Sequence, residues 1–216
     1  MGACSSCWTG FVPVPRPACP GCGLPRPETT DLLGPLRTRC ADCLLTPPEV
    51  DVVRAAVIYD DLARAFVLRA KLGRHPELFR PIAELMAADL RASGLSAGRP
   101  VVVPVASHPW ADLRRGFSPA VELGRRVAAI LGLPFHRRTL VRRWLPLGAA
   151  KRLGLRGRRS MVETAYRVGT GHAPQRVLLV DDVMTTGATI EACSRVLKKA
   201  GSGEVRAAIW ARTIRA

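Results

Sequence analysis

This sequence has no apolar run of about 18 residues, the length a membrane-crossing helix needs, so no membrane span is expected. Its first residues, Met1-Gly2-Ala3-Cys4, lack a basic stretch followed by an apolar core. No secretory leader is therefore expected, and the reading is a soluble, cytoplasmic protein. Lysine is scarce. Of 33 basic residues only Lys71, Lys151, Lys198 and Lys199 are lysine, and the rest are arginine. Acids are few as well, 17 in all, which leaves a formal net charge of +16. Residues 1–50 contribute none of it, because Arg16, Arg26, Arg37 and Arg39 balance Glu28, Asp31, Asp42 and Glu49. The excess belongs to residues 51–216, and a basic domain favours anionic partners, either phosphorylated metabolites or nucleic acid.

Cysteine is nearly absent after residue 50, where only Cys193 occurs, inside a helical pattern that suggests core. The other six form three C-x2-C pairs: Cys4/Cys7, Cys19/Cys22 and Cys40/Cys43. Each pair places two thiolates on one tight knuckle, which suits tetrahedral zinc. Cys19, Cys22, Cys40 and Cys43 have zinc-ribbon spacing, and Gly21 and Gly23 permit the turn. Cys4/Cys7 has no second pair to close a site. Large apolar residues are sparse over this stretch, so metal would supply folding energy that a core cannot. Disulfides are disfavoured in a cytoplasmic chain. After the stiff joint Thr46-Pro47-Pro48, the expected organisation is a zinc-ribbon-like module over 1–47 and an α/β domain over 48–216.

Within the second part, 52–59 reads as a strand. Asp60 to Leu72 has helical period, with Lys71 in the last turn and Gly73 after it. That lysine complements the helix dipole or meets a phosphate. Pro81 to Ala92 reads as another helix. Val101–Val105 is a buried strand that ends at Pro104, because proline cannot donate to a ladder. Ala106-Ser107-His108-Pro109 then turns at the sheet rim. Arg114-Arg115-Gly116 can offer guanidinium groups to a pyrophosphate, and a helix follows to about Leu131. Residues 137–167 hold ten basic residues and one acid, Glu163, but only Trp144 and Tyr166 as aromatics. Three readings stay open there: a loop that closes over a polyphosphate, a nucleic-acid contact, or a solvated loop. Base-stacking platforms are not obvious.

The most informative stretch is Val177 to Thr189. Four apolar residues predict a buried parallel strand that ends where Asp181 and Asp182 begin. Thr185-Thr186-Gly187-Ala188-Thr189 then opens a helix to about Ala200, and free N–H groups at a helix start hold phosphate. Carboxylates beside such a cradle suit a ribose phosphate: acids on the sugar hydroxyls, loop on the 5′-phosphate. The closing strand is 205–212, and the βα alternation predicts a parallel, doubly wound sheet.

This acid-acid-x-x-Thr-Thr-Gly-x-Thr run resembles the phosphoribosyl pyrophosphate (PRPP) loop of type I phosphoribosyltransferases. Taken with the cysteine ribbon, Tyr59, Lys71-x-Gly73, Val103-Pro104-Val105 and Arg115-Gly116-Phe117, the chain resembles the ComF family, the phosphoribosyltransferase-like proteins of bacterial competence. Leu153, Arg158-Arg159 and Tyr166 fit that family's basic segment. The resemblance implies an α/β fold of the type I phosphoribosyltransferase kind, a parallel sheet with flanking helices, plus a small N-terminal zinc ribbon. It implies transfer of ribose 5-phosphate from PRPP to a nitrogen acceptor. Asp181 and Asp182 would hold the sugar hydroxyls and steady positive charge on the ribose. Thr185, Thr186, Gly187, Ala188 and Thr189 would hold the 5′-phosphate, Ala106-Ser107 and Arg115 the pyrophosphate, and Lys71 would join them in binding PRPP. Mg²⁺ would arrive with PRPP, and zinc would be structural. The chain departs from the family at Ser118, Pro119, Ala150 and Met161, where polar residues are usual. The alternative is a non-catalytic PRPP or nucleotide sensor, or an adaptor for single-stranded DNA or a DNA-uptake helicase.

Overall fold

The fold, a computed structural model, describes residues 9–26, 39–73, 75–143, 165–169 and 172–214. In chain order its elements are α1 (Ala41–Leu45), β1 (Val52–Ile58), α2 (Asp61–Leu72), α3 (Phe79–Ala92), β2 (Val101–Pro104), α4 (Pro109–Arg115), α5 (Pro119–Leu131), β3 (Leu140–Arg142), β4 (Tyr166–Val168), β5 (Arg176–Met184), α6 (Ala188–Lys199) and β6 (Glu204–Arg212). The parallel sheet has the order β1-β6-β5-β2, and β3 and β4 form a separate antiparallel ribbon. Cys4, Cys7 and residues 144–164 lie outside the described residues, and with them most of the basic segment.

β5 is fully buried from Val177 to Val180, and its alternation divides the core in two. Leu178 and Val180 pack with Val67 of α2, Ile82 and Met86 of α3, Leu123 of α5 and Trp210 of β6. Val177 and Leu179 point the other way, toward Ile190 and Leu197 of α6 and toward Leu140 and Tyr166 of the ribbon. Successive strand residues face opposite sides, so a continuous apolar run is what a sheet covered on both faces requires.

Two sequence expectations need correction. β5 does not stop at Val180; it runs on through both carboxylates to Met184, paired with β6 at Asp181↔Ile209 and Met184↔Arg212. What stops at Val180 is the other neighbour: β2 pairs last at Pro104↔Val180, with one further bond from the Val105 N–H to the Val180 carbonyl (3.0 Å). The acids therefore stand in an extended strand whose β2 side is open. The stretch read as a turn and an arginine pair before α5 also contains a helix, α4. Pro109 occupies its first turn, His108 Nδ1 accepts the Trp110 N–H (3.3 Å), and Gly116 ends it at φ +80. These are ordinary start and stop signals.

The N-terminal segment is sewn onto the sheet. Ile58 donates to the Val12 carbonyl (2.8 Å) and Val14 to the Ala56 carbonyl (3.1 Å), so residues 12–14 cover the free edge of β1. Phe11 enters the core edge-on to Phe66 and Trp210, each with ring centres 5.4 Å apart. Such pairs contribute roughly 0.5–1.5 kcal/mol beyond the area they bury. Arg54 on β1 forks onto Asp89 of α3 (2.6 and 2.7 Å), and Arg16 joins the same carboxylate (3.4 Å).

Candidate functional site

Two neighbouring carboxylates on one strand must point to opposite faces. Asp182 shares its side with Leu178 and Val180 and meets Lys71 of α2, with Nζ 2.7 Å from Oδ2. Asp181 shares its side with Val177 and Leu179, near Tyr166 and Thr189. The half-buried Asp181 carboxyl is pushed up to about 8, first by burial and then by the charge of Asp182. The Asp182 N–H, 2.9 Å from Asp181 Oδ1, and the more distant Lys71 pull the other way.

After Met184 the chain turns through Thr185 and Thr186 to Gly187, which starts α6 at φ +84. The left-handed backbone there favours glycine, since a Cβ would be strained and the Met184 methyl, 2.6 Å from it, would have to move. The Thr186 hydroxyl accepts the Ala188 N–H (3.4 Å). Asp181, Thr185, Thr186, Gly187, Ala188 and Thr189 line a small concavity of about 40 Å³ at the positive end of α6. Adjoining it, and sharing Asp181 and Thr189, is a cleft of about 290 Å³. Lys71, Ser107, Arg115 and Asp182 line that cleft, so the structure gathers the sequence-predicted residues of the α/β domain around one continuous hollow. His108, Pro119 and Ala120 line it too.

Several of these side chains are engaged by one another. The Ser107 hydroxyl donates to Asp112 Oδ2 and lies 2.9 Å from the Ser118 hydroxyl. Arg115 donates to Asp112 Oδ1 (2.7 Å), while its Nε has no partner. Asp112 thus organises the rim, a role sequence reasoning missed. Also missed were Arg142 and the site role of Tyr166. Both come from the β3–β4 ribbon and both line the cleft. The Arg142 guanidinium sits 5.6 Å from the Tyr166 ring centre, in cation–π range, and its Nε has no hydrogen-bond partner. Burial, with Cys193 and Asp181, pushes the Tyr166 phenol up to about 12 against the pull of Arg142 and a hydrogen bond with Thr189. It stays a neutral hydroxyl. The ribbon's other described arginines, Arg143 and Arg167, are exposed, as are Arg137 and Arg138 just before it.

At the opposite end of the chain, Cys19, Cys22, Cys40 and Cys43 bring their sulfurs within 4.8 Å of one another. Cys22 and Cys40 Sγ are 3.7 Å apart, close to the ~3.8 Å edge of a tetrahedron with 2.3 Å Zn–S bonds. The Cys40 N–H donates to Cys19 Sγ (3.2 Å), as zinc knuckles require. Burial raises the Cys19 thiol, but N–H groups of Cys40, Cys22 and Gly21 outweigh it and bring it down to about 7. Four sulfurs with no histidine or carboxylate fit structural zinc. The knuckle lies against β1: Val53 donates to the Pro20 carbonyl (2.6 Å), and a Cβ on Gly23 (φ +72) would meet Val53 Cγ1 at 3.1 Å.

A parallel sheet with helices on both faces, carrying paired acids and a Thr-Thr-Gly loop at its carboxyl end, defines a phosphoribosyltransferase-type domain. The phosphoribosyl transferase domain family matches residues 68–215. Over 216 residues the chain is 27% identical to DNA utilization protein YhgH of Salmonella typhi, covering 99% of this chain and 91% of that one. It is 26% identical to competence protein F of Haemophilus influenzae, over 97% of this chain and 89% of that one. Against competence protein ComFC of Streptococcus pneumoniae identity is 27%, over 94% and 84%. The chain belongs to the phosphoribosyl transferase domain family, and these relatives along nearly its whole length support a place among the ComF proteins.

Proposed function

We propose that this chain binds PRPP, or a related ribose 5-phosphate, in the joined hollow. The observation that supports this most is the sequence of chemistries along it: a helix-start cradle at 185–189, then Asp181 and Asp182, then Lys71, Arg115 and Arg142. The order matches 5′-phosphate, ribose hydroxyls and pyrophosphate. Mg²⁺ would be carried by ligand oxygens and water, as that ion prefers.

Among the three cations, Lys71 is paired with Asp182 and Arg115 with Asp112, whereas Arg142 has no carboxylate partner among the described residues. Arg142 is therefore assigned to the pyrophosphate. Arg142→Ala is expected to weaken Mg·PRPP by ~10-fold, the scale of one charge-assisted contact. Ribose 5-phosphate, which lacks the pyrophosphate, should be affected far less. Isothermal titration with both ligands checks this, and equal losses for the two would contradict the assignment.

If transfer occurs, the bond from the ribose carbon to pyrophosphate breaks and pyrophosphate leaves with the electron pair. A nitrogen acceptor forms the new bond and loses its proton. The two carboxylates would stabilise positive charge on the ribose. Binding without transfer is the second reading. It is favoured by Pro119 in the cleft wall, and by Ser118, buried and bonded to Ser107, where the family is expected to carry polar contacts to ligand. Pyrophosphate release across a panel of nucleobases separates the two.

The relatives' names connect them with competence and DNA utilization. We extend that setting to this chain, with a cytoplasmic location. Exposed Arg137, Arg138, Arg143 and Arg167, together with the basic run 151–159 of the sequence, would meet single-stranded DNA or a helicase partner. Affinity for oligo-dT should fall steeply with salt, with log–log slope of roughly −0.7 per phosphate neutralised. A flat response would remove DNA from the proposal.

A further inference from the structure

The last residue of β6, Arg212, stands between the cysteine knuckle and the phosphate loop and bonds to both. It is 5% exposed, so its charge is desolvated and depends on the groups around it. Nε donates to the Cys22 carbonyl (2.9 Å), on a residue whose sulfur belongs to the four-cysteine cluster. Nη1 donates to the carbonyls of Met184 (3.1 Å), Thr185 and Thr213 (2.8 Å). Its backbone is fixed as well, by register with Met184 and by the Tyr59 N–H on its carbonyl (2.8 Å).

The consequence for the loop follows from the planar trans peptide. The C=O of one residue and the N–H of the next point in opposite directions. Holding the Met184 and Thr185 carbonyls toward Arg212 turns the N–H groups of Thr185 and Thr186 away from it, and both threonines line the concavity. The same guanidinium holds the Cys22 carbonyl, so the knuckle and the loop share one rigid fork. Lysine could not replace it, because one ammonium on a flexible stem cannot fill two separated sets of acceptors in fixed directions.

We infer that Arg212 is a positioning residue that couples the zinc knuckle to the phosphate loop, so that metal occupancy and ribose-phosphate binding support each other. The second half rests on the ribose-phosphate reading above; the first half does not. Reciprocity is then required: whatever tightens the loop must tighten the knuckle.

The test uses zinc-loaded full-length protein. Hydrogen exchange without ligand, on wild type and Arg212→Lys, should show amides of 184–189 and of 21–24 exchanging ~10-fold faster in the variant, with β2 and α5 unchanged. Arg212→Met should act in the same direction and more strongly. Zinc release to a chromogenic chelator should be faster in both variants. Saturating ribose 5-phosphate should slow release from wild type and not from Arg212→Lys. Loosening of only the loop or only the knuckle would overturn the coupling, as would equal loosening of β2 and α5. Ribose 5-phosphate that binds wild type without slowing zinc release would overturn it too. If ribose 5-phosphate does not bind at all, the proposed ligand is wrong, and the exchange data still decide whether Arg212 couples the two segments.

Discussion

Asp181→Asn should give a protein that binds PRPP ~100-fold more weakly yet is more stable than wild type in alkaline buffer. Asp181 titrates near 8 in the folded chain, against an ordinary value of 3.8. A carboxyl raised by folding contributes stability that is complete below the unfolded value and is lost as pH rises through the folded one. The ligand-free wild type should therefore lose stability from about pH 4 to about pH 8, through this group, as a carboxylate forms in a half-buried place beside Asp182. Binding runs the other way. Ribose hydroxyls donate best to a carboxylate, so PRPP affinity should rise over the same interval. Asparagine removes both slopes. It keeps an oxygen for the Asp182 N–H that now meets Asp181 Oδ1, so the local backbone is preserved.

The expected loss of PRPP affinity is ~100-fold, since a hydrogen bond to a charged group contributes roughly 1.5–3 kcal/mol and the acceptor is also part of the anionic pair. The expected gain in Tm near pH 9 is a few degrees, at about 2–4 °C per kcal/mol for a chain of this size. Titration calorimetry and thermal melts across pH check the two halves separately. Lys71, Arg115, Arg142, Tyr166, His108 and Asp182 share the cleft and also act on its pH response. The comparison of variant with wild type isolates the Asp181 part. A Tm for Asp181→Asn that falls at every pH would show that the carboxylate is held favourably rather than at a cost.

The second large effect concerns the metal. Stripping zinc should lower Tm by on the order of 10 °C, because a structural zinc site contributes many kcal/mol to the fold it closes. Few apolar residues hold the knuckles together on their own. Cys19 is fully buried and Cys43 nearly so, and without metal burial pushes the Cys22 thiol up to about 11 and the Cys43 thiol up as well, so buried thiols replace metal-bound thiolates. The damage should not stay local, since the knuckle backbone bonds to Val53 of β1 and to Arg212 of β6. Metal analysis should find about one zinc per Cys19/Cys22/Cys40/Cys43 site. Cys40→Ser should lose it, with a Tm close to that of the stripped protein, and Cys193→Ser should retain it. Full zinc retention by Cys40→Ser would contradict a single four-sulfur site.

What the amino-acid sequence determined by itself was everything whose cause is local. The buried strand from Val177, the Thr-Thr-Gly turn, the C-x2-C knuckles and most of the helices follow from periodicity and from residues that only certain turns accept. Pro109 and Gly116 mark the two ends of α4 in the sequence, but the arginines between them fit an anion-binding loop equally well. The extension of β5 through two acids was not legible. Carboxylates disfavour a strand interior, and only pairing with β6 holds them there after β2 has ended. The partners of the site residues were decided by the tertiary structure alone. Lys71 meets Asp182 because α2 covers the even face of β5, and Arg142 reaches the cleft because its ribbon covers the odd face. Arg212 joins the knuckle to the loop because strand order sets β6 between β1 and β5. Each contact joins residues far apart in the chain, and no local rule encodes which of them the sheet will bring together.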